Sequence, residues 1–219
     1  CSSNGYFSDF TLNLLLPVLD MVNIGLKGSE PDILRQCGIR DSQKVIENVR
    51  RLVSAGVHIE VALMHAKGQE EEVIRQAREV IAISKGIPIQ IMRCMAFGDL
   101  GQEYEPSIPD SESLCEQIRR FAPHVYLFNS PGTRLLDTVC PGCGTTVYER
   151  DFYGPMGARL VGEDWPRDGT CPHCGYRLPI RQHGEQGRDD DFRERDFEGG
   201  YPFTRALEMI EAIDRKSVV

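Results

Sequence analysis

Cys140-Pro-Gly-Cys143-Gly144 and Cys171-Pro-His-Cys174-Gly175 are two copies of one short motif, and they determine how the chain around them folds. Each copy presents two thiols across a tight turn, and the glycine after the second cysteine lets the backbone turn without a Cβ clash. The 27 residues between Cys143 and Cys171 can form a small β-loop that brings the two pairs together. Four thiolates then form a tetrahedral site for zinc or, less often, iron.

The alternative for these four cysteines is that they are free or disulfide-bonded, and the paired spacing disfavours it. A closed four-cysteine site leaves no open position for a substrate, so we expect it to be structural. Zinc is the first expectation, and a rubredoxin-like iron site is the second because rubredoxins also pair such units. Trp165 is expected to cover the metal, since it lies six residues before Cys171.

The composition suits one medium domain with an appendage. Acidic residues number 33 against 25 basic ones, for a net charge of −8, which argues against nucleic acid as a partner. No apolar run reaches the length of a membrane span. Thiols that bind a metal indicate a reducing compartment, so we expect a cytoplasmic protein. Cys1-Ser2-Ser3-Asn4 resembles a lipidated bacterial terminus, an alternative that the reduced metal site disfavours.

Residues 1–134 alternate between strand and helix patterns, with a further strand end at residues 1–4. This rhythm predicts an α/β fold with parallel βαβ units in an open, partial barrel rather than a closed eightfold one. The predicted strands are 20–25, 57–64, 88–94 and 124–128, and the predicted helices are 8–19, 30–37, 41–55, 69–85 and 110–122.

Polar or flexible residues follow each predicted strand, where parallel folds place their ligand sites. They are Asn4 with Gly5, Lys27, His65, Arg93 and Asn129. Arg93 ends an apolar strand, and a buried arginine needs an anionic partner, so we favour a site role for it. Lys27 could instead be a solvated loop residue. His65 could be an acid or base, but a surface loop histidine is the more common case.

Residues 135–180 are predicted to form the β-rich metal module, with a strand at 145–149 and Leu160-Val161 as its partner. Residues 181–219 form the third region. A charged linker over 181–200 precedes an amphipathic helix over 202–216, which either packs back on the barrel or binds a partner.

Taken in order, four segments and the cysteine pairs resemble the radical S-adenosylmethionine enzymes over residues 1–180. The resemblance is greatest to homologues of the pyruvate formate-lyase activating enzyme that end in paired CPxCG units. The segments are Ser2-Ser3-Asn4-Gly5-Tyr6, Asn23-Ile24-Gly25-Leu26-Lys27-Gly28, Ile89-Gln90-Ile91-Met92-Arg93 and His124-Val125-Tyr126-Leu127-Phe128-Asn129, followed by Cys140 and Tyr148-Glu149-Arg150.

The resemblance implies a [4Fe-4S] cluster on a CxxxCxxC motif, and this sequence has no such spacing. It therefore implies that the chain corresponds to the part of a six-stranded partial barrel that begins at the third strand. The activating-enzyme pattern has Asp-Thr-Asn-Gly where Ser2-Ser3-Asn4-Gly5 stands, and Asp-Leu-Lys where Gly25-Leu26-Lys27 stands. These departures put glycyl-radical activation in doubt.

The resemblance further implies that Asn4, Gly5, Lys27 and Arg93 lie near the S-adenosylmethionine cosubstrate. Lys27 and Arg93 are expected to face one cleft. The function this indicates is the C-terminal portion of a radical enzyme, acting on an undetermined small-molecule or protein substrate. A non-catalytic, zinc-stapled half-barrel that acts as a binding or scaffold protein is the alternative. A bare sheet edge at residues 1–4 would favour self-association.

Overall fold

The computed structural model describes residues 1–96, 102–154, 157–161 and 165–180. The predicted linker and helix over 181–216 lie outside these ranges. Within the described ranges, no helix combines the length and the hydropathy needed to cross a bilayer.

A parallel sheet of five strands forms the main body, and its strands follow one another in chain order. Each strand pairs in parallel with the next, so every connection crosses back over the sheet. This is the predicted α/β architecture and is consistent with a partial barrel. The strands are Ser2–Ser3 (β1), Met21–Leu26 (β2), His58–His65 (β3), Ile89–Arg93 (β4) and Val125–Phe128 (β5).

Five helices fill the connections, and local capping signals set where several of them begin. The Ser8 side chain accepts from the amide of Thr11, and the Asp41 side chain accepts from that of Gln43. Ser107 and Asp110 form a reciprocal capping box. The helices are Asp9–Leu15 (α1), Pro31–Gln36 (α2), Ser42–Ser54 (α3), Glu70–Ile83 (α4) and Ile108–Arg119 (α5).

Three predicted helix boundaries were wrong. The first helix ends at Leu15 rather than residue 19, because Pro17 lacks the amide that another turn requires. Helix α4 ends at Ile83 rather than at residue 85, because Ser84 adopts an extended conformation. Helix α5 begins two residues earlier than predicted, because Ser107 is its N-cap and Asp110 lies inside the first turn.

The core lies between the sheet and its helices. Strand residues alternate, and those of one phase are fully buried against the apolar faces of α3, α4 and α5. Burial of this one phase is the main stabilising contribution to the sheet. The buried strand residues are Val22, Ile24, Leu26, Ile59, Val61, Leu63, Ile89, Ile91, Val125 and Leu127.

The opposite phase of the strands forms a second face, here called the open face, which carries polar side chains. The Asn23 amide donates to Gln90 Oε1 at 2.7 Å, and Gln90 Nε2 donates to Glu60 Oε2 at 2.6 Å. These bonds connect β2, β3 and β4 across the sheet. Tyr126 on β5 continues the row, since it is the register partner of Gln90.

Two small antiparallel sheets follow β5 and form the β-rich part of the predicted metal module. Thr138–Val139 (β6) pairs with Thr146–Tyr148 (β7), and Arg150–Phe152 (β8) pairs with Ala158–Leu160 (β9). The strand predicted over 145–149 is confirmed, but its predicted partner was wrong. Residues near 160 pair with β8 instead, because the chain makes a separate hairpin immediately after Tyr148.

Strand β1 forms one edge of the large sheet, and it is only two residues long. Such a short edge offers few unpaired backbone groups to another chain. Self-association through this edge stays a prediction.

Gly5 follows β1 with φ of +73°, and an added Cβ would lie 2.9 Å from both Ile24 Cγ2 and Val45 Cγ1. We predict that Gly5→Ala lowers the free energy of unfolding by about 2–5 kcal/mol, because backbone strain and overpacking add. Gly38→Ala is the matched control, since Gly38 has φ of +72° and nothing within 4 Å of an added Cβ. Gly38→Ala should lower the free energy of unfolding only by the cost of the backbone strain, about 1–2 kcal/mol. Urea unfolding measures both, and equal losses would contradict the packing argument.

Candidate metal centre

The sulfur atoms of Cys140, Cys143, Cys171 and Cys174 all lie within 4.8 Å of one another. The Cys140–Cys174 sulfur pair is 3.5 Å apart, and the Cys143–Cys171 pair is 3.7 Å apart. Zinc–thiolate bonds of about 2.3 Å in a tetrahedron place the sulfurs about 3.8 Å from one another. The arrangement therefore fits one four-coordinate metal ion, as the spacing predicts.

Both cysteine turns have the same backbone hydrogen bonds. In the first, the Gly144 amide donates to the Cys140 carbonyl at 2.9 Å, and the Cys140 amide donates to the Thr145 carbonyl at 2.8 Å. In the second, Gly175 and Tyr176 bond Cys171 in the same way, at 2.9 and 2.8 Å. Gly144 and Gly175 have φ of 75° and 74°, which confirms why glycine follows each second cysteine.

The surroundings of the sulfurs affect their pKa values in opposite directions. The hydroxyl and backbone amide of Thr145 lower the pKa of Cys143 to about 6, which favours a thiolate. The backbone amide of Tyr176 acts in the same direction on Cys174, but the other three sulfurs outweigh it and raise that pKa to about 12. Four thiolates this close repel one another, so a cation is needed to hold all of them ionised.

The first cysteine of each pair is buried and the second is exposed. Cys140 and Cys171 belong to a small core with Val147, Tyr148 and Leu178. Trp165 packs against this core, and its ring centroid lies 6.1 Å from that of Tyr148. That Trp165 covers the metal stays a prediction. With so few apolar residues, the core depends on the metal for much of its stability.

At the carboxyl ends of the strands, Asn4 and Lys27 line one cavity of about 100 Å³ together with Gly28. Asn4 is tied down there, because its amide donates to the Cys37 carbonyl at 2.8 Å. The Lys27 ammonium folds back over Gly25, 3.2 Å from where a Cβ would lie. Gly5 is buried and has no room for a side chain. The cofactor-binding roles of these residues stay predictions.

Arg93 lies at the same end of the sheet, although it is not among the residues that line this cavity. That Lys27 and Arg93 face one cleft stays a prediction. Arg93 Nη1 donates to Glu105 Oε1 at 2.6 Å and to the Pro106 carbonyl at 3.1 Å. Its Nε donates to the carbonyl of Asn129, whose own amide donates to the Arg93 carbonyl. Sequence reasoning required an anionic partner for Arg93, and Glu105 within this chain supplies it.

His65 is fully buried, so the expectation of a surface loop histidine was wrong. Its Nδ1 lies 2.9 Å from Ser111 Oγ, and its Nε2 lies 3.4 Å from Glu70 Oε1. Burial lowers the pKa of His65 and outweighs the opposing effect of Glu70. The histidine is therefore neutral near pH 7 and joins β3 to α4 and α5.

A cleft of about 970 Å³ lies at the other end of the strands, away from Lys27 and Asn4. Among its basic residues, Arg119 lies in the last turn of α5, where a cation complements the exposed helix carbonyls. Arg120 and Lys85 lie just beyond α5 and α4, and Arg78 lies within α4. Arg78 stacks on Phe121 and Arg119 bonds Glu116, so much of this charge is already used within the chain.

Four residues of the open-face side were not identified as site residues from the sequence: Glu60, Gln90, Tyr126 and Arg150. They line a cleft of about 420 Å³ between the open face and the small sheets. The strand alternation could have identified three of them, because Glu60, Gln90 and Tyr126 alternate with the core residues of their strands and so lie on the opposite face of the sheet.

No protein-family model matches this sequence, and no curated protein is similar to it. Among solved structures, SuiB of Streptococcus suis bound to S-adenosylmethionine is 12% identical with a TM-score of 0.47. A second SuiB structure is 13% identical with a TM-score of 0.46. The aligned regions cover 57% of this chain and about a third of the SuiB chains, 32% and 31%. A likeness this weak establishes neither a family nor a function.

We predict that protein purified without added metal contains one zinc ion per chain, measurable by elemental analysis. Cys140→Ser should lose that metal and the dispersed NMR signals of residues 136–180, because structural zinc supplies much of a small module's folding free energy. Cys1→Ser is the control, since Cys1 is exposed and lies outside the centre. A folded module without metal would contradict the prediction, and bound iron would assign the rubredoxin-like alternative.

We also predict that Glu105→Gln lowers the free energy of unfolding by about 1–2 kcal/mol. The loss is smaller than for a fully buried pair because the Glu105 side chain is 33% exposed. Glu103→Gln, two residues away, is the control.

The Ala96 amide and Arg93 lower the pKa of Glu105. The contribution of Glu105 to the free energy of unfolding should therefore be present above about pH 4.3, the pKa of a glutamate in the unfolded chain. It should disappear as the pH falls through the lower pKa that Glu105 has in the folded chain. Unfolding curves from pH 7 to pH 3 measure this. Equal pH dependence in wild type and Glu105→Gln would contradict it.

Proposed function

We propose that this chain is the C-terminal portion of a radical S-adenosylmethionine enzyme, with the four-cysteine module as a structural metal centre. The observation that carries the proposal is the order of the motifs along one sheet. Asn4, Lys27, Arg93 and Asn129 follow or end strands β1, β2, β4 and β5, and the cysteine pairs come directly afterwards. This order of motifs matches the sequence resemblance from its first segment to its last.

The sheet topology supports the proposal independently of individual residues. Sequential parallel strands without a reversal of order produce the wall of a barrel rather than a doubly wound sheet. In a barrel wall one phase of the strands meets the helices and the other faces the interior. The open face has the polar, half-buried character expected of such an interior.

The chain's own residues do not fit a [4Fe-4S] cluster. Cys1, Cys37, Cys94 and Cys115 are widely separated along the sequence, and no CxxxCxxC spacing occurs. We therefore derive no reaction step through a cluster on this chain. Lys27 and Asn4 are proposed to form one wall of a cosubstrate site whose remaining groups come from another segment.

A non-catalytic, zinc-stapled binding or scaffold protein is the second candidate. The observation in its favour is that polar groups at the strand ends bond the chain itself. Asn4 fixes the backbone at Cys37, and Arg93 bonds Glu105, Pro106 and Asn129. Side chains used this way support the fold without any ligand.

The coding sequence upstream of Cys1 separates the two candidates. An in-frame CxxxCxxC motif some tens of codons upstream supports the enzyme. A start codon immediately before Cys1 supports the scaffold.

We predict that the 219-residue chain alone forms no 5′-deoxyadenosine from S-adenosylmethionine after anaerobic iron–sulfur reconstitution, because it lacks the three-cysteine motif.

In the longer protein, Lys27→Ala should weaken S-adenosylmethionine binding about tenfold or more, the effect of one lost charge-assisted hydrogen bond. Lys85→Ala, which removes a lysine beyond the other end of the sheet, should leave the Kd unchanged. Equal Kd values for the wild type, Lys27→Ala and Lys85→Ala would contradict the role of Lys27. Formation of 5′-deoxyadenosine by the 219-residue chain alone would contradict the prediction that this chain is inactive.

A further inference from the structure

The cleft between the open face and the small sheets has the properties of a ligand site. Its volume of about 420 Å³ lies within the range of small-molecule sites. Glu60, Gln90 and Tyr126 lie in the amino-terminal halves of their strands, so the cleft is separate from the Asn4–Lys27 cavity at the carboxyl ends.

Arg150 is the group that identifies the ligand class. Its side chain is half-buried, and its guanidinium lies 5.7 Å from the ring centroids of both Tyr126 and Tyr148. Nη1 donates to Thr138 Oγ1 at 2.6 Å and to the Leu136 carbonyl at 3.1 Å. These are neutral acceptors. Within the described part of the chain, no carboxylate forms an ion pair with Arg150.

A half-buried guanidinium with no carboxylate partner among the described residues is unusual, because a desolvated charge is normally paired. Arg93 shows the usual arrangement in the same protein, since its guanidinium pairs with Glu105 at 2.6 Å. Arg150 has the fixed fork geometry that binds a carboxylate with two hydrogen bonds, and it uses only Nη1 in the contacts above.

Besides Arg150 the cleft has a polar side, where the Glu60 carboxylate accepts a hydrogen bond from Gln90, and an apolar side. Phe128, Leu136, Pro179 and Ile180 line it together with Ala158 of β9. A ligand that suits both the Arg150 guanidinium and these apolar side chains has one carboxylate and a compact apolar or aromatic body.

We propose that this cleft binds a small aromatic or apolar carboxylate, with Arg150 as the carboxylate-binding residue. The inference does not rest on the proposed function, because the cleft is built from residues of this chain alone.

The test uses the full 219-residue protein with its metal bound, and calorimetric titration with sodium benzoate and with benzamide. Benzamide keeps the shape of benzoate and lacks the charge. Benzoate should bind saturably, and benzamide at least about tenfold more weakly, since a charge-assisted hydrogen bond is lost. Equal affinities, or no binding of benzoate at about 10 mM, would overturn the proposal.

Variants locate the site. Arg150→Gln should raise the Kd for benzoate about tenfold or more, whereas Arg159→Gln makes the same charge change at an exposed position of β9 and should have no effect. Equal weakening by both would show a long-range charge effect and overturn the proposal.

Arg150 also holds Thr138 and Leu136, so its loss could disturb the module. Ala158→Phe therefore provides an independent test, because it fills the cleft and leaves Arg150 in place. Metal content and thermal unfolding verify that each variant is folded. Unchanged benzoate affinity in Ala158→Phe would exclude the cleft as the site.

Discussion

The burial of the parallel sheet on one side is the constraint on which the remaining structure depends. Strands that follow one another in order, each joined by a crossover of the same hand, place all their helices on one face. The helix side therefore forms an apolar core, while none of the described helices covers the other side. That difference explains why one phase of each strand is aliphatic and the other carries Asn23, Glu60, Gln90 and Tyr126.

The metal module partly compensates for the missing cover. It begins a few residues after β5 and bonds back to it, since the Thr138 hydroxyl donates to that of Tyr126 at 3.2 Å and Arg150 stacks over the same ring. The module has only a small apolar core of its own. A cation among the four sulfurs would thus fix the hairpins, which form one wall of the cleft over the open face.

Much of the fold could be predicted from the sequence because the signals were local and periodic. Alternation identified β3, amphipathic spacing identified α3 and α4, and repeated cysteine spacing identified the metal ligands. Boundaries were less predictable where two local signals competed, as with Ser107 and Asp110 at the start of α5. The candidate sites were hardest, because they depend on long-range partners. Arg93 needed an anion, but nothing in its own strand indicates Glu105. The surroundings of Arg150, which has no carboxylate partner within the described ranges, become visible only once the hairpins are in place.

The alternation of buried and exposed cysteines affects how quickly the centre can exchange its ion. Each knuckle contributes one sulfur to the core, Cys140 or Cys171, and one to the surface, Cys143 or Cys174. A competing chelator in solution can reach only the two surface sulfurs, one from each arm. Cys140 and Cys171 would therefore hold a bound ion from the inner side, and their release would require the surrounding core of Val147, Tyr148 and Leu178 to open.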